Sequence, residues 1–171
     1  MGKSNRSEFY NEKMMKTKQK EIEDSISYAK KIQDAMLVSE NYLKETLPES
    51  FVLHIPKDIV SGDFYWIGKQ EDELMFAAVD CTGHGVPGAF MSLVGANGLD
   101  SAFSEQKTPT PGTMLDGLNK YANNSLNKSI DDSIRDGMDI TLCSLNLKKM
   151  KLKFAGANNP LYLIRNGELE V

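Results

Sequence analysis

A chain of 171 residues that is 40% hydrophobic and 26% charged is sized for one ordinary domain with a sizeable core, not comfortably for two. Its formal net charge of −4 supplies no broad basic field for nucleic acid, and no apolar run is long enough to span a membrane or to serve as a signal core. Cys81 and Cys143 are the only cysteines and lack a CxxC spacing, which argues against a disulfide framework or structural zinc and for a reducing cytoplasm.

Residues 1–18 are polar and poor in branched aliphatics, and read as a solvent-exposed helix start. Residues 21–44 read as a helix, with Ile22, Ile26, Ala29, Ile32 or Gln33, and Met36 spaced by threes and fours. That stripe either packs on its own domain or pairs two chains, with Lys20, Glu23, Lys30 and Asp34 flanking it as in a short coiled coil. In the following LPESFVLHIPKD, Pro56 marks an edge or an irregular strand start, and His54 reads as structural.

The stretch SGDFYWIGKQEDELMFAAVDCTGHG then reads as a β-hairpin. Residues 60–67 and 73–79 are rich in β-branched and aromatic types, and Gln70, Glu71 and Asp72 lie between them as a turn. With Glu71 and Asp72 at the tip, Asp63 faces Asp80. Both faces of the hairpin are apolar, which predicts an interior pair of strands covered on both sides. Opposed Cβ atoms stand about 5 Å apart, so two half-buried carboxylates must share a proton, find cationic partners or bind metal. A slip of one residue at the tip would instead separate them onto opposite faces.

After Asp80 the chain enters a glycine-rich loop and a helix over 86–104, with Pro87 in its first turn and Phe90, Leu93, Val94 and Leu99 mostly inward. The prolines of EQKTPTPGT separate it from a helix over 114–126 carrying Met114, Leu118, Tyr121 and Ala122 on one face. A polar loop, NKSIDDSIRDG, is expected near the site. Residues 138–147 and 151–155 make a second hairpin, and 161–165 and 168–171 a third around Asn166-Gly167.

Paired carboxylates beside an anion-friendly glycine loop suit hard cations such as Mg²⁺ and Mn²⁺ together with phosphate. No Gly-Lys-Ser/Thr follows the glycines, so a nucleotide-triphosphatase loop is not indicated. Lys57 is a candidate phosphate contact as an ammonium point charge.

The segments VSGDFYW, DCTGHGVPGAFMS, GMDITLCSL and FAGANNPLYLIRNGEL resemble the metal-dependent serine/threonine protein phosphatases of type 2C, in particular their bacterial sporulation and stress-response (SpoIIE-like) branch. The resemblance runs over residues 51–171, with residues 1–50 left as a helical linker or dimerisation helix. It implies an α+β fold, an αββα sandwich of two antiparallel sheets flanked by helices, incomplete here and preceded by the N-terminal helix. It also implies hydrolysis of phosphoserine or phosphothreonine on a protein by a water between two ions, Mn²⁺ or Mg²⁺. Asp80 matches the aspartate that bridges the ions, Cys81 supplies a backbone carbonyl ligand, and Asp63 a further carboxylate. Asp139 lies where some members place a carboxylate for an extra metal, with Asp136 as its competitor. His84 either holds its loop by a hydrogen bond or serves as the general acid, although it follows the bridging aspartate by four residues where animal members have two. Members usually continue into further strands with two more metal-binding aspartates, so the expectation is half a metal site and an inactive chain when alone. The implied partners are a phosphorylated regulatory protein, plausibly an anti-sigma-factor antagonist, and an upstream sensor module. The alternative is a catalytically silent, phosphatase-like interaction module.

Overall fold

The computed structural model describes residues 2–126 and 136–170, so all but the last two residues of the expected polar loop lie outside the described residues. Helix α1 (Gly2–Met36) is continuous across the segment expected to be only a helix start, but ends sooner than the apolar spacing predicts. The break falls at Leu37 and Val38, which turn partly buried side chains into two different cores. Ser39 then caps a short helix, α2 (Glu40–Thr46), its hydroxyl accepting the Tyr42 N–H at 3.3 Å. The stripe on α1 packs on its own domain only in part: Ile22, Ile32 and Met36 are exposed, and among the described side chains of α1 Gln33 is the one fully buried.

Strands β1 (Phe64–Gln70) and β2 (Glu73–Cys81) form the expected antiparallel hairpin in the expected register, Phe64 opposite Val79 and Gln70 opposite Glu73. Its two-residue tip sets Glu71 at a φ of 53°. Strand β2 also pairs with β3 (Met138–Asn146), and β3 with β4 (Lys151–Ala157), giving one antiparallel sheet in the order β1-β2-β3-β4. The hairpin is therefore not an interior pair, because β1 is the sheet edge.

Helices α3 (Gly85–Glu105) and α4 (Pro111–Leu126) cover one face. Phe64, Trp66, Met75, Val79 and Leu142 of the sheet meet Leu99, Met114 and Leu118 there in the main core. Trp66 packs edge-on against Phe103, with ring centroids 5.4 Å apart, and its indole N–H donates to Asp100 Oδ1 at 2.7 Å. Phe90, expected inward, is exposed on the far side of α3. The second face is covered in part: Leu43 of α2 joins Ile67 and Leu74 in a smaller core, while Ala78 and Phe154 remain exposed. The expectation of cover on both sides is thus met near the turn and not at the aspartate end. Strands β5 (Leu163–Arg165) and β6 (Glu168–Glu170) make a separate two-stranded ribbon around Asn166 and Gly167, both with positive φ. The architecture is α+β with antiparallel sheets and an N-terminal helix. No helix among the described residues is long and apolar enough to cross a membrane.

Candidate active site

One step beyond the last pair of the β1–β2 ladder, Asp63 stands opposite Asp80, and in the next ladder Asp80 stands opposite Asp139. The three carboxylates form a row across three strands, on the sheet face that the helices leave open. Asp63 and Asp80 both face an open cleft of about 440 Å³, together with His54, Tyr65 and Asn159. Asp63 is held above the usual carboxylate range, first by partial desolvation, then by the charge of Asp80 and a hydrogen bond to it, with His54 opposing. Asp139 is turned to another partner, its Oδ1 accepting from Asn158 Nδ2 at 2.8 Å. Asp136 is exposed and lies just before β3.

Two carboxylates that crowd one another, one of them reluctant to ionise, fit an oxygen-seeking divalent cation. The fit is partial, since among the described residues no three His, Cys, Asp or Glu side chains converge as a metal cage. Burial, then the charges of Asp63 and Asp80, push the Cys81 thiol up to about 12. The Cys81 carbonyl oxygen faces the backbone of Gly62, 3.3 Å from where a Cβ would stand.

The loop that precedes β1 and carries Asp63 and the loop that follows Asp80 at the end of β2 interlock through glycine. A Cβ on Gly88 would lie 2.6 Å from the Gly83 carbonyl oxygen and 3.1 Å from the Gly62 Cα, so a side chain there would force the loops apart. The same packing lets Gly83 turn at a φ of 88°.

Ser61, two residues before Asp63, has its polar groups fully engaged. Its N–H donates to Gln33 Oε1 at 3.2 Å, and its carbonyl accepts from Gln33 Nε2 at 2.6 Å. Its hydroxyl contacts His54 Nε2 at 3.1 Å and donates to the Asp63 carbonyl at 3.0 Å. Gln33 Nε2 also reaches Ser92 Oγ on α3 at 2.9 Å. A single amide on α1 thus ties the N-terminal helix to the loop that presents Asp63. Sequence reading misses this, because Gln33 stands there only as an alternative to Ile32 in an apolar stripe.

His84 occupies the N-cap of α3 in extended conformation and makes no side-chain capping bond. Its Nδ1 lies 2.8 Å from Asp58 Oδ2, and its Nε2 lies 3.4 Å from Lys57 Nζ. Lys57, the candidate phosphate contact, meets His84, and Asp58 is a partner of His84 that sequence reading passed over.

The sequence of residues 70–171 matches the family model for stage II sporulation protein E (SpoIIE). The chain belongs to the SpoIIE family. Among solved structures, it is similar to the SiaA-PP2C domain of Pseudomonas aeruginosa, with 35% identity and a TM-score of 0.75 over 84% of this chain and 56% of that one. It shares its fold with a stage II sporulation E family protein from Thermanaerovibrio acidaminovorans, with 16% identity and a TM-score of 0.51 over 61% of this chain and 50% of that one. The chain therefore spans about half the length of each of these SpoIIE-type structures. Curated protein sequences gave no significant match. SpoIIE membership places the chain among PP2C-type phosphatase domains.

Proposed function

We propose that this chain is part of a protein serine/threonine phosphatase that removes phosphate from a regulatory protein in bacterial signalling. The observation that carries the reading is the pairing of Asp63 with Asp80, at the open end of a hairpin whose second strand and following glycine loop lie within the residues that match the SpoIIE model. In this reading Asp63, Asp80 and the Cys81 carbonyl hold Mn²⁺ or Mg²⁺, and Asp139 adds a carboxylate once released from Asn158. A divalent cation held there supplies a water acidified toward neutral pH. The protein's own groups do the rest: the interlocked glycine loops fix the two carboxylates, and His84 delivers a proton to the leaving serine oxygen. An anti-sigma-factor antagonist of the partner-switching type is the substrate class that suits this branch.

The test is Mn²⁺ titration calorimetry with the parent and Asp80→Asn, joined to turnover of an aryl phosphate by residues 1–171 alone and by those residues extended with the downstream half of a SpoIIE-family domain. The expected results are Mn²⁺ binding that Asp80→Asn abolishes, and turnover by the extended chain far above that of residues 1–171. Equal Mn²⁺ binding by the two proteins would remove Asp80 from the metal site.

The exposed stripe of Ile22, Ile32 and Met36 favours a second role for α1, as a helix that pairs two chains and receives an upstream signal. This role is compatible with either a working or a silent phosphatase domain.

A further inference from the structure

We propose that Asp58 is a positioning residue that fixes the tautomer and direction of His84 for phosphate-ester hydrolysis. The inference rests on the phosphatase reading above and deepens it. A carboxylate only accepts hydrogen bonds, so at 2.8 Å from Asp58 Oδ2 the His84 Nδ1 carries the hydrogen. An ammonium only donates, so at 3.4 Å from Lys57 Nζ the Nε2 is the acceptor. The Lys57 contact is the longer and weaker of the two, and it agrees with the tautomer that Asp58 selects. Together they leave Nε2 as the ring nitrogen that exchanges protons with a substrate oxygen.

Among the described residues, the short Asp58 contact is the main hold on the ring, with Lys57 at 3.4 Å beside it. The His84 side chain is 67% exposed, and it makes no capping bond to α3 that would give it a structural task there. Asp58 is itself 41% exposed, and the turn at Gly85, with a φ of 63°, passes over its carboxylate. A surface imidazole without such a partner samples several rotamers and both tautomers.

The proton balance follows from this arrangement. As a phosphoryl dianion draws the Lys57 ammonium toward itself, Nε2 takes up a proton from solvent, and the imidazolium is stabilised by the Asp58 charge. The oxygen of the attacking water bonds to phosphorus and releases its proton to solvent. The bond from phosphorus to the serine oxygen breaks, its electron pair stays with that oxygen, and the oxygen takes the Nε2 proton. That transfer returns His84 to its resting protonation.

The imidazole ¹⁵N spectrum of the metal-free chain reads the tautomer directly. The Nδ1–H form is expected in the parent and in Asp58→Asn, whose amide oxygen still accepts, and a mixture of tautomers in Asp58→Ala. Turnover by the extended chain with Mn²⁺ supplies the second reading. General acid help is worth about 10²–10⁴-fold, so Asp58→Ala should slow a phosphoserine peptide by about tenfold or more, yet change p-nitrophenyl phosphate by less than about twofold, because nitrophenolate leaves without a proton. Asp58→Asn should recover much of the peptide activity. An unchanged tautomer in Asp58→Ala, or equal losses on the two substrates, overturns the proposal. A parent that hydrolyses neither substrate overturns the phosphatase reading and with it the catalytic role of Asp58, while the spectra still judge the Asp58–His84 contact by itself.

Discussion

Glu73 sits at the opposite end of β2 from Asp80, its carboxylate accepting from Ser144 Oγ at 2.6 Å and from Asn146 Nδ2 at 2.7 Å. Those bonds, Ser144 first, hold it below the usual carboxylate range. A depressed folded value gives stability that is present above the unfolded pKa and is lost as pH falls through the folded one. Ser144→Ala should therefore destabilise the protein at pH about 7 by more than at pH about 3, because the advantage of the ionised carboxylate disappears once both states are protonated. Urea unfolding at the two pH values measures the difference. A loss that is the same at both would assign Ser144 to packing alone. Contacts of this kind are hard to read in advance: Glu73 and Ser144 are 71 residues apart in sequence, and only the β2–β3 register brings them together.

Among the elements, the β1–β2 hairpin was fully legible, register included, because a two-residue tip fixes every pair above it. The placement of β3 beside β2, which brings Asp139 opposite Asp80, was not, since pairing between distant strands leaves no mark in local periodicity. The α1–α2 break was hidden for a different reason. The apolar spacing continues through Leu37, and only the Ser39 cap, a weaker signal, marks the stop. The Gln33 clamp was invisible because its partners lie 28 and 59 residues away. Replacing it with an apolar group, Gln33→Leu, leaves the Ser61 N–H and carbonyl without partners, which costs about 1–3 kcal/mol for each buried group left unpaired. Thermal unfolding should show that loss, and Mn²⁺ titration should show weaker binding, because the loop carrying Asp63 loses its anchor on α1. Destabilisation with unchanged Mn²⁺ affinity would separate α1 from the site.

For the molecule as a whole, the uncovered surface is uneven. Phe51, Leu53 and Ile55 are 89%, 78% and 81% exposed, and Ile164 and Leu169 of the β5–β6 ribbon are also open. These patches were not foreseen as a set, since each apolar run reads as a strand and exposure depends on what the strand packs against. On α1 the stripe was legible and its destination was not. If it pairs chains, the protein should sediment as a dimer at micromolar concentration, and Ile26→Glu should dissociate it by placing an unpaired charge in the seam. A monomer before and after the change would leave α1 unpaired. The length of α1 also governs how the molecule scatters X-rays. Its 35 residues extend for about 52 Å at 1.5 Å per residue, whereas a compact body of the remaining residues has a radius of gyration of only about 14 Å. Since every described side chain from residue 8 to residue 25 is exposed, most of that length is a free rod, and it contributes a long, thin tail to the pair-distance distribution. Parallel pairing of two copies thickens the tail without lengthening it, while antiparallel pairing holds the two bodies apart and adds a second maximum, so a scattering profile distinguishes the two arrangements.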